Sequence, residues 1–209
     1  MNITDPYETL REWMVETQIH SRGIRDPRVL AAMRKVPRHE FVSFSQGSSS
    51  YSDGPLPIGK GQTISQPYIV AYMTELLELR GVETVLELGT GCGYQTAVLA
   101  EIAAHVYTVE VIEVLALDAE AILKRMRYDN ISYKIGNGRN GWEEYAPYDR
   151  IMLTAAPSQF PKNLFDQLLE GGIAVAPVGD YFQRMVRYRK EKGKIKEETL
   201  IGVSFVPFV

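Results

Sequence analysis

The chain has 209 residues, 45% apolar and 23% charged, which suits one folded domain with a sizeable core and excludes a disordered segment. A formal charge of -3 and a pI near 5.7 argue against a broad basic footprint for nucleic acid. Cys92 is the only cysteine, which excludes an intrachain disulfide and a zinc cluster; His20, His39 and His105 are scattered without ligand spacing, so no metal is expected.

The opening residues are mixed and charged rather than leader-like, and no run approaches the ~18 apolar residues of a membrane span. The expectation is a cytoplasmic protein with no membrane partner. Thr4-Asp5-Pro6-Tyr7-Glu8 reads as a helix start, with Asp5 as the cap, Pro6 in the first turn and Glu8 as the capping-box acid. Leu10, Trp13, Met14 and Thr17 share one face of that helix, and Gly23 ends it. Asp26-Pro27 repeats the start signal. Val29, Leu30 and Met33 give the second helix its apolar side, and Val36-Pro37 stops it. The small polar residues Gln46 to Ser52 predict a mobile loop.

From Asp53 to Tyr68, proline and glycine forbid a regular element over most of the length. The same stretch carries apolar Leu56, Ile58 and Ile64, so an ordered loop lying on the core is expected. Ser65 or Gln66 then caps a helix that has Pro67 in its first turn and a buried stripe of Ile69, Val70, Met73, Leu76 and Leu77. Residues 1–65 are read as a helical cap and loop on a core of residues 66–209, all within one domain.

Val85 to Leu88 is a buried-strand pattern, Gly89, Gly91 and Gly93 follow at alternate positions, and Thr96 to Ala100 returns to helix formers. Strand, glycine turn and helix make a backbone that a ligand can approach closely. No Lys-Ser/Thr follows, which excludes a P-loop, and the spacing is G-x-G-x-G rather than the dinucleotide G-x-G-x-x-G. A second β-prone run, Val106 to Val109, ends at Glu110, 19 residues after Gly91. An acid at that distance, on the tip of the next strand, is placed to hold ribose hydroxyls. Together the two features favour a nucleoside-containing cofactor.

The alternation continues. Leu115 to Arg127 is helical, Ile131 to Ile135 is a strand leading into Gly136-Asn137-Gly138, and Asp149 to Thr154 is another strand. Lys162 to Glu170 reads as a helix ended by Gly171-Gly172, and Ile173 to Val178 as a strand. Met185–Arg189 and Leu200–Val206 follow without a helix between them, an antiparallel edge pair whose basic run Arg184 to Lys196 is solvated. The fold class expected is α/β, a doubly wound, mostly parallel, seven-stranded Rossmann-like sheet with an antiparallel edge and an N-terminal helical cap. Ligands bind at the C-terminal strand tips of such sheets, so Gly89 to Gly93, Glu110, Asn137 and Thr154 should surround one crevice.

Glu87 with the glycines after it resembles motif I of class I S-adenosylmethionine (AdoMet) methyltransferases. The loop Pro55-Leu-Pro-Ile-Gly-Lys-Gly-Gln-Thr-Ile-Ser-Gln-Pro-Tyr68 resembles the signature loop of the protein-L-isoaspartate O-methyltransferases. Met14 to Gln18, Val36 to His39, Leu86 to Gly91 and Phe205 to Phe208 resemble the same family, in the family's order. The resemblance implies a repair enzyme. It would transfer a methyl group from AdoMet, leaving S-adenosylhomocysteine, to the α-carboxylate of L-isoaspartyl residues in damaged proteins and peptides. The ester then closes to a succinimide that partly reopens as aspartate. Carried onto this chain, Gly89, Thr90, Gly91 and Gly93 would cradle the cofactor, Glu110 would bind the ribose and Asn137 and Gly138 would meet the adenine. Glu87 would hold the charged end of the cofactor. Thr63 and Ile64 would line the methyl-transfer site, with Ser65 as the active-site residue. Gly136-Asn137-Gly138 departs from the family's usual Gly-Asp-Gly, which removes a negative charge.

Methyl transfer to a carboxylate needs neither a general acid nor a base, because the thioether leaves neutral and the acceptor is ionised at pH 7. Ser65 is therefore expected to orient the acceptor rather than attack as a nucleophile. An isoaspartyl residue adds a methylene to the backbone, so a slot must accept a displaced chain; Leu56, Pro57 and Ile58 with Val206 and Pro207 are its candidate walls. A monomer without nucleic-acid partners is favoured. The alternatives are an AdoMet-binding protein of this fold with weak or lost activity, and a methyltransferase for another acceptor.

Overall fold

The computed structural model describes residues 5–208, so Thr4, part of the expected helix start, lies outside the described residues. Helix α1 is Glu8–Met14, continued by wider and tighter turns to Arg22 and stopped at Gly23 in a left-handed conformation. Its start differs from the expected capping box. The Asp5 carboxylate accepts from Tyr7 N at 2.9 Å, and Tyr7 takes the cap position. The buried face also differs: Arg11, Met14, Val15, Gln18 and Ile19 point inward, whereas Leu10 and Trp13 are exposed. Arg11 is drawn in by Asp5 at 2.6 Å and by Tyr51 at 3.3 Å, polar partners that a hydrophobic period does not reveal. Helix α2, Pro27–Lys35, starts as expected, with the Asp26 side chain accepting from Arg28 N at 2.8 Å.

Two segments expected as loops are structured. Gln46 to Ser52 forms short 3₁₀ turns in which Ser50 and Tyr51 are buried. Arg38 Nε donates to Ser50 O at 2.7 Å, Gln18 Nε2 to Tyr51 O at 2.8 Å, and His39 Nδ1 lies 2.7 Å from the Tyr51 hydroxyl. These partners come from distant residues, so local composition misled. The following stretch is an antiparallel hairpin, β1 (Leu56–Gly59) with β2 (Gln62–Ile64), turning at Lys60-Gly61. Gln66 occupies the cap of α3 (Pro67–Leu76), but its side chain donates to Asp53 at 2.7 Å instead of capping the helix.

The core alternates β3 (Thr84–Leu88), α4 (Tyr94–Ala100), β4 (His105–Glu110), α5 (Glu113–Arg125), β5 (Ile131–Ile135), β6 (Tyr148–Leu153) and β7 (Leu168–Val178). The hairpin β8 (Gln183–Glu191) and β9 (Lys194–Val203) closes it. Strand order is β5-β4-β3-β6-β7-β8-β9, parallel through β7 and antiparallel beyond. This is the expected seven-stranded sheet. The order reverses between β3 and β6, which opens a crevice above their C-terminal ends.

One element differs in kind. Lys162–Phe165 is a single 3₁₀ turn, and the chain then enters β7 at Leu168 instead of continuing as a helix to Glu170. Tyr148 N donates to Gln167 O at 2.8 Å and Leu168 pairs with Tyr148, so sheet pairing overrides the helix preference of Leu168-Leu169-Glu170. All five helices bury residues in one hydrophobic cluster, through Met14, Val29, Val70, Ala97 and Leu123. The cluster on the other face is closed by turns and by Trp142, Phe160 and Leu164. Among the described residues, no helix is long and apolar enough to cross a membrane.

Candidate active site

The crevice holds a cavity lined by the β2 end of the hairpin, the glycine turn, the β4 tip and the C-terminal segment. Each wall has a local cause. Gly89 has φ +108, and a Cβ there would run into Thr154 Oγ1, so only glycine lets the chain leave β3 at this angle. The turn is closed by Gly93 N donating to Thr90 O at 2.9 Å. Across it, Gly138 packs against the Phe208 ring so closely that a Cβ would lie 3.0 Å from Cζ. Phe208 is held there by its N–H to Ala156 O at 2.8 Å and by Arg139 Nη2 donating to Phe208 O at 2.7 Å.

Glu110 sits at the β4 tip. One carboxylate oxygen accepts from Gly91 N at 2.8 Å and the other from Ile112 N at 2.9 Å. A carboxylate offers about four lone-pair sites, so two backbone donors fix it and leave acceptor capacity toward the cavity. Ser65 stands half-buried on the opposite wall. Its carbonyl accepts from Arg38 Nη2 at 2.7 Å, while its hydroxyl has no partner among the described residues. Arg38 is fully buried beneath it, its charge facing the Tyr94 ring at 4.8 Å.

The cavity brings together Thr63, Ile64, Ser65, Gly89, Thr90, Gly91, Glu110, Gly138, Val206 and Pro207. It leaves out Glu87, Gly93, Asn137, Leu56, Pro57 and Ile58. Glu87 is wholly buried behind the turn, accepting from Thr96 Oγ1 at 2.5 Å and Thr108 Oγ1 at 2.7 Å through one oxygen. Its other oxygen has no partner, and burial pushes the carboxyl up to about 8. A buried carboxyl with a raised pKa stands behind the wall rather than in the cavity, which leaves no direct contact with a charged group there. Gly93 faces Leu123 and Ala119 of α5, and the exposed Asn137 accepts from Arg139 N at 2.9 Å as a turn cap. Pro57 and Ile58 look into a separate groove with Phe41 and Leu115, and Leu56 packs on the core. The expected slot walls at 56–58 therefore stand outside this cavity.

Sequence reading missed Gln62, Cys92, Tyr94, Gln95, Val111, Ile112 and Ala155 as wall residues. Val111 and Ile112 had a usable signal, an apolar pair directly after the strand-tip acid. Tyr94 and Gln95 open the helix after the glycines. Cys92 is not poised as a nucleophile, because desolvation pushes its thiol up to about 11.

A mostly parallel seven-stranded sheet, a glycine turn after its first core strand and an acid on the tip of the next define a class I, Rossmann-like methyltransferase. A family model described as protein-L-isoaspartate(D-aspartate) O-methyltransferase matches residues 9–209, and the chain belongs to that family. A protein-L-isoaspartate O-methyltransferase of Picosynechococcus sp. is 54% identical over 203 residues, 97% of this chain and 91% of the relative. A solved protein-L-isoaspartate O-methyltransferase superposes with a TM-score of 0.85 at 26% identity, covering 96% of this chain and 65% of that one. A second, from Plasmodium falciparum and in complex with S-adenosyl-L-homocysteine, gives 0.80 at 26% identity, covering 95% and 98%.

Proposed function

We propose that this methyltransferase holds AdoMet in the crevice between the glycine turn and the β4 tip and brings the α-carboxylate of an L-isoaspartyl residue to it from the Ser65 side. The observation that carries this reading is one cavity shared by the Gly89–Gly91 backbone, the Glu110 carboxylate and the free Ser65 hydroxyl. The residues suit the cofactor. Glu110 keeps acceptor capacity for two ribose hydroxyls, Val111, Ile112 and Phe208 give a flat apolar slot for adenine beside Gly138, and the glycine backbone leaves room for the amino-acid tail. Thr63 offers a hydroxyl along the path, while the Thr90 hydroxyl is turned to Thr108 Oγ1 at 2.6 Å. Asn137 contributes through the turn it caps rather than by facing the adenine.

AdoMet supplies an electrophilic methyl group on a sulfonium whose thioether leaves neutral. The chain's own contribution is alignment. The acceptor carboxylate is ionised at neutral pH and needs no base. The Ser65 hydroxyl donates to one of its oxygens, and the free N–H groups opening α3 at Tyr68 and Ile69 favour an anion there. Ile64, Val70 and Met73 exclude water from the reacting atoms. Holding oxygen, methyl and sulfur in line accounts for up to about 7–11 kcal/mol of the barrier.

The test is transfer of labelled methyl to isoaspartyl, aspartyl and asparaginyl versions of one peptide. Labelling confined to the isoaspartyl peptide is expected. Intact AdoMet binding without labelling of any of them would refute the reading.

A further inference from the structure

A second groove opens from the cavity and shares Thr63, Ser65, Thr154 and Val206 with it. It runs to the turn joining β7 and β8, where Tyr181 and Phe182 are 98% and 93% exposed. Rings of that size, side by side and unburied, do nothing for the fold. The base that carries them is fixed, because Gln183 Nε2 donates to Phe205 O at 3.0 Å and Gln183 Oε1 accepts from Phe205 N at 2.6 Å. A ring displayed on a held backbone loses little freedom when it is covered.

The charge of the groove is one-sided. Arg184 is its only charged lining residue, and no carboxylate lies within 4 Å of it among the described residues. On the same strand, by contrast, Arg187 pairs with Glu78 and Glu198, and Arg189 with Glu78. Lys190, the strand's other cation without a carboxylate partner, is tied to the Phe165 and Leu168 carbonyls, whereas Arg184 lines the groove. Val203 and Phe205 supply apolar floor between it and Ser65.

We propose that this groove seats the residues flanking the isoaspartyl carboxylate, and that it selects substrates with a large apolar or aromatic side chain and an acidic side chain beside the damaged residue. Tyr181 and Phe182 grip the apolar flank and Arg184 receives the acid. The proposal rests on the methyl-acceptor reading above. Its occupant follows from continuity: a peptide whose carboxylate reaches Ser65 must leave the cavity, and this groove opens from the same wall.

The test is a series of isoaspartyl peptides with Phe or Gly, and Glu or Lys, at each position from two before to two after the isoaspartyl residue. Wild type is expected to prefer Phe over Gly and Glu over Lys by about 3- to 10-fold in kcat/KM at one position or more, the range for a partly exposed ring and ion pair. The double variant Tyr181→Ser, Phe182→Ser should lose the first preference. Arg184→Glu should reverse the second. Both should keep kcat on a glycine-flanked peptide. Flank-independent kcat/KM in wild type, or unchanged ratios in the variants, would overturn the groove assignment alone. So would a double variant whose oligomeric state changes while its peptide ratios do not, since the rings would then join copies of the chain. Failure to methylate any isoaspartyl peptide would remove the underlying reading, and this one with it.

Discussion

Ser65 and Glu87 divide the work of the crevice between its exposed wall and its buried backing. Ser65 is tethered by its carbonyl, its hydroxyl has no partner among the described residues, and in the proposed function that hydroxyl meets the acceptor. Ser65→Ala is expected to lower kcat by about 10- to 100-fold, the range for a lost donor at a reacting oxygen, and to leave the AdoMet Kd within about 2-fold. Single-turnover methyl transfer beside calorimetric titration separates the two effects. Glu87 is the backing. Below about 4.5 its carboxyl is protonated in folded and unfolded chains alike. Between there and about 8 only the folded chain keeps the proton, because burial with a single set of threonine donors disfavours the anion. Stability from this group therefore falls as pH rises through that window, by at most about 1.4 kcal/mol per pH unit, and levels off above it. Glu87→Gln should flatten that part of a pH series of urea unfolding curves; an equally steep series would show that Glu87 is ionised in the fold.

At the scale of elements, Arg38 joins three pieces of chain that no local pattern connects. From the turn after α2 it donates to Ser50 O at 2.7 Å and to Ser65 O at 2.7 Å, and it packs on Tyr94 at the start of α4. Arg38→Met would strand two carbonyls, each worth about 1–3 kcal/mol when left unpaired, partly offset by relief of a buried charge. A net loss of about 2 kcal/mol is expected from urea unfolding, with kcat falling because the Ser65 backbone is released. Arg38→Lys should recover part of the activity. Equal kcat in Arg38→Met and wild type would show that Ser65 is held by its hairpin alone. The hairpin is the other element with consequences: Ile64 lines the cavity and Ile58 the neighbouring groove, so one short ladder serves two surfaces.

At the scale of the molecule, the crevice joins the cap, the core and the C-terminal segment, so a ligand that binds only the folded crevice should stabilise all three. S-adenosylhomocysteine at about 100 times its Kd adds about 2.7 kcal/mol. For a chain of this size that raises Tm by about 5–10 °C, readable by calorimetry; no shift at saturating ligand would mean the crevice does not bind it. Much of this architecture was legible in the sequence. Buried strands, the glycine turn, Glu110 on the next strand tip, the cap and proline starting α2 and the signature loop before α3 depend on neighbours a few residues apart, and such short-range patterns survive in a linear string. Other features came only with the tertiary structure. Arg11 and Tyr51 point inward, Glu87 lies behind the wall and Leu168 belongs to a strand because of partners many residues distant, and those contacts exist only once the chain has closed around its core.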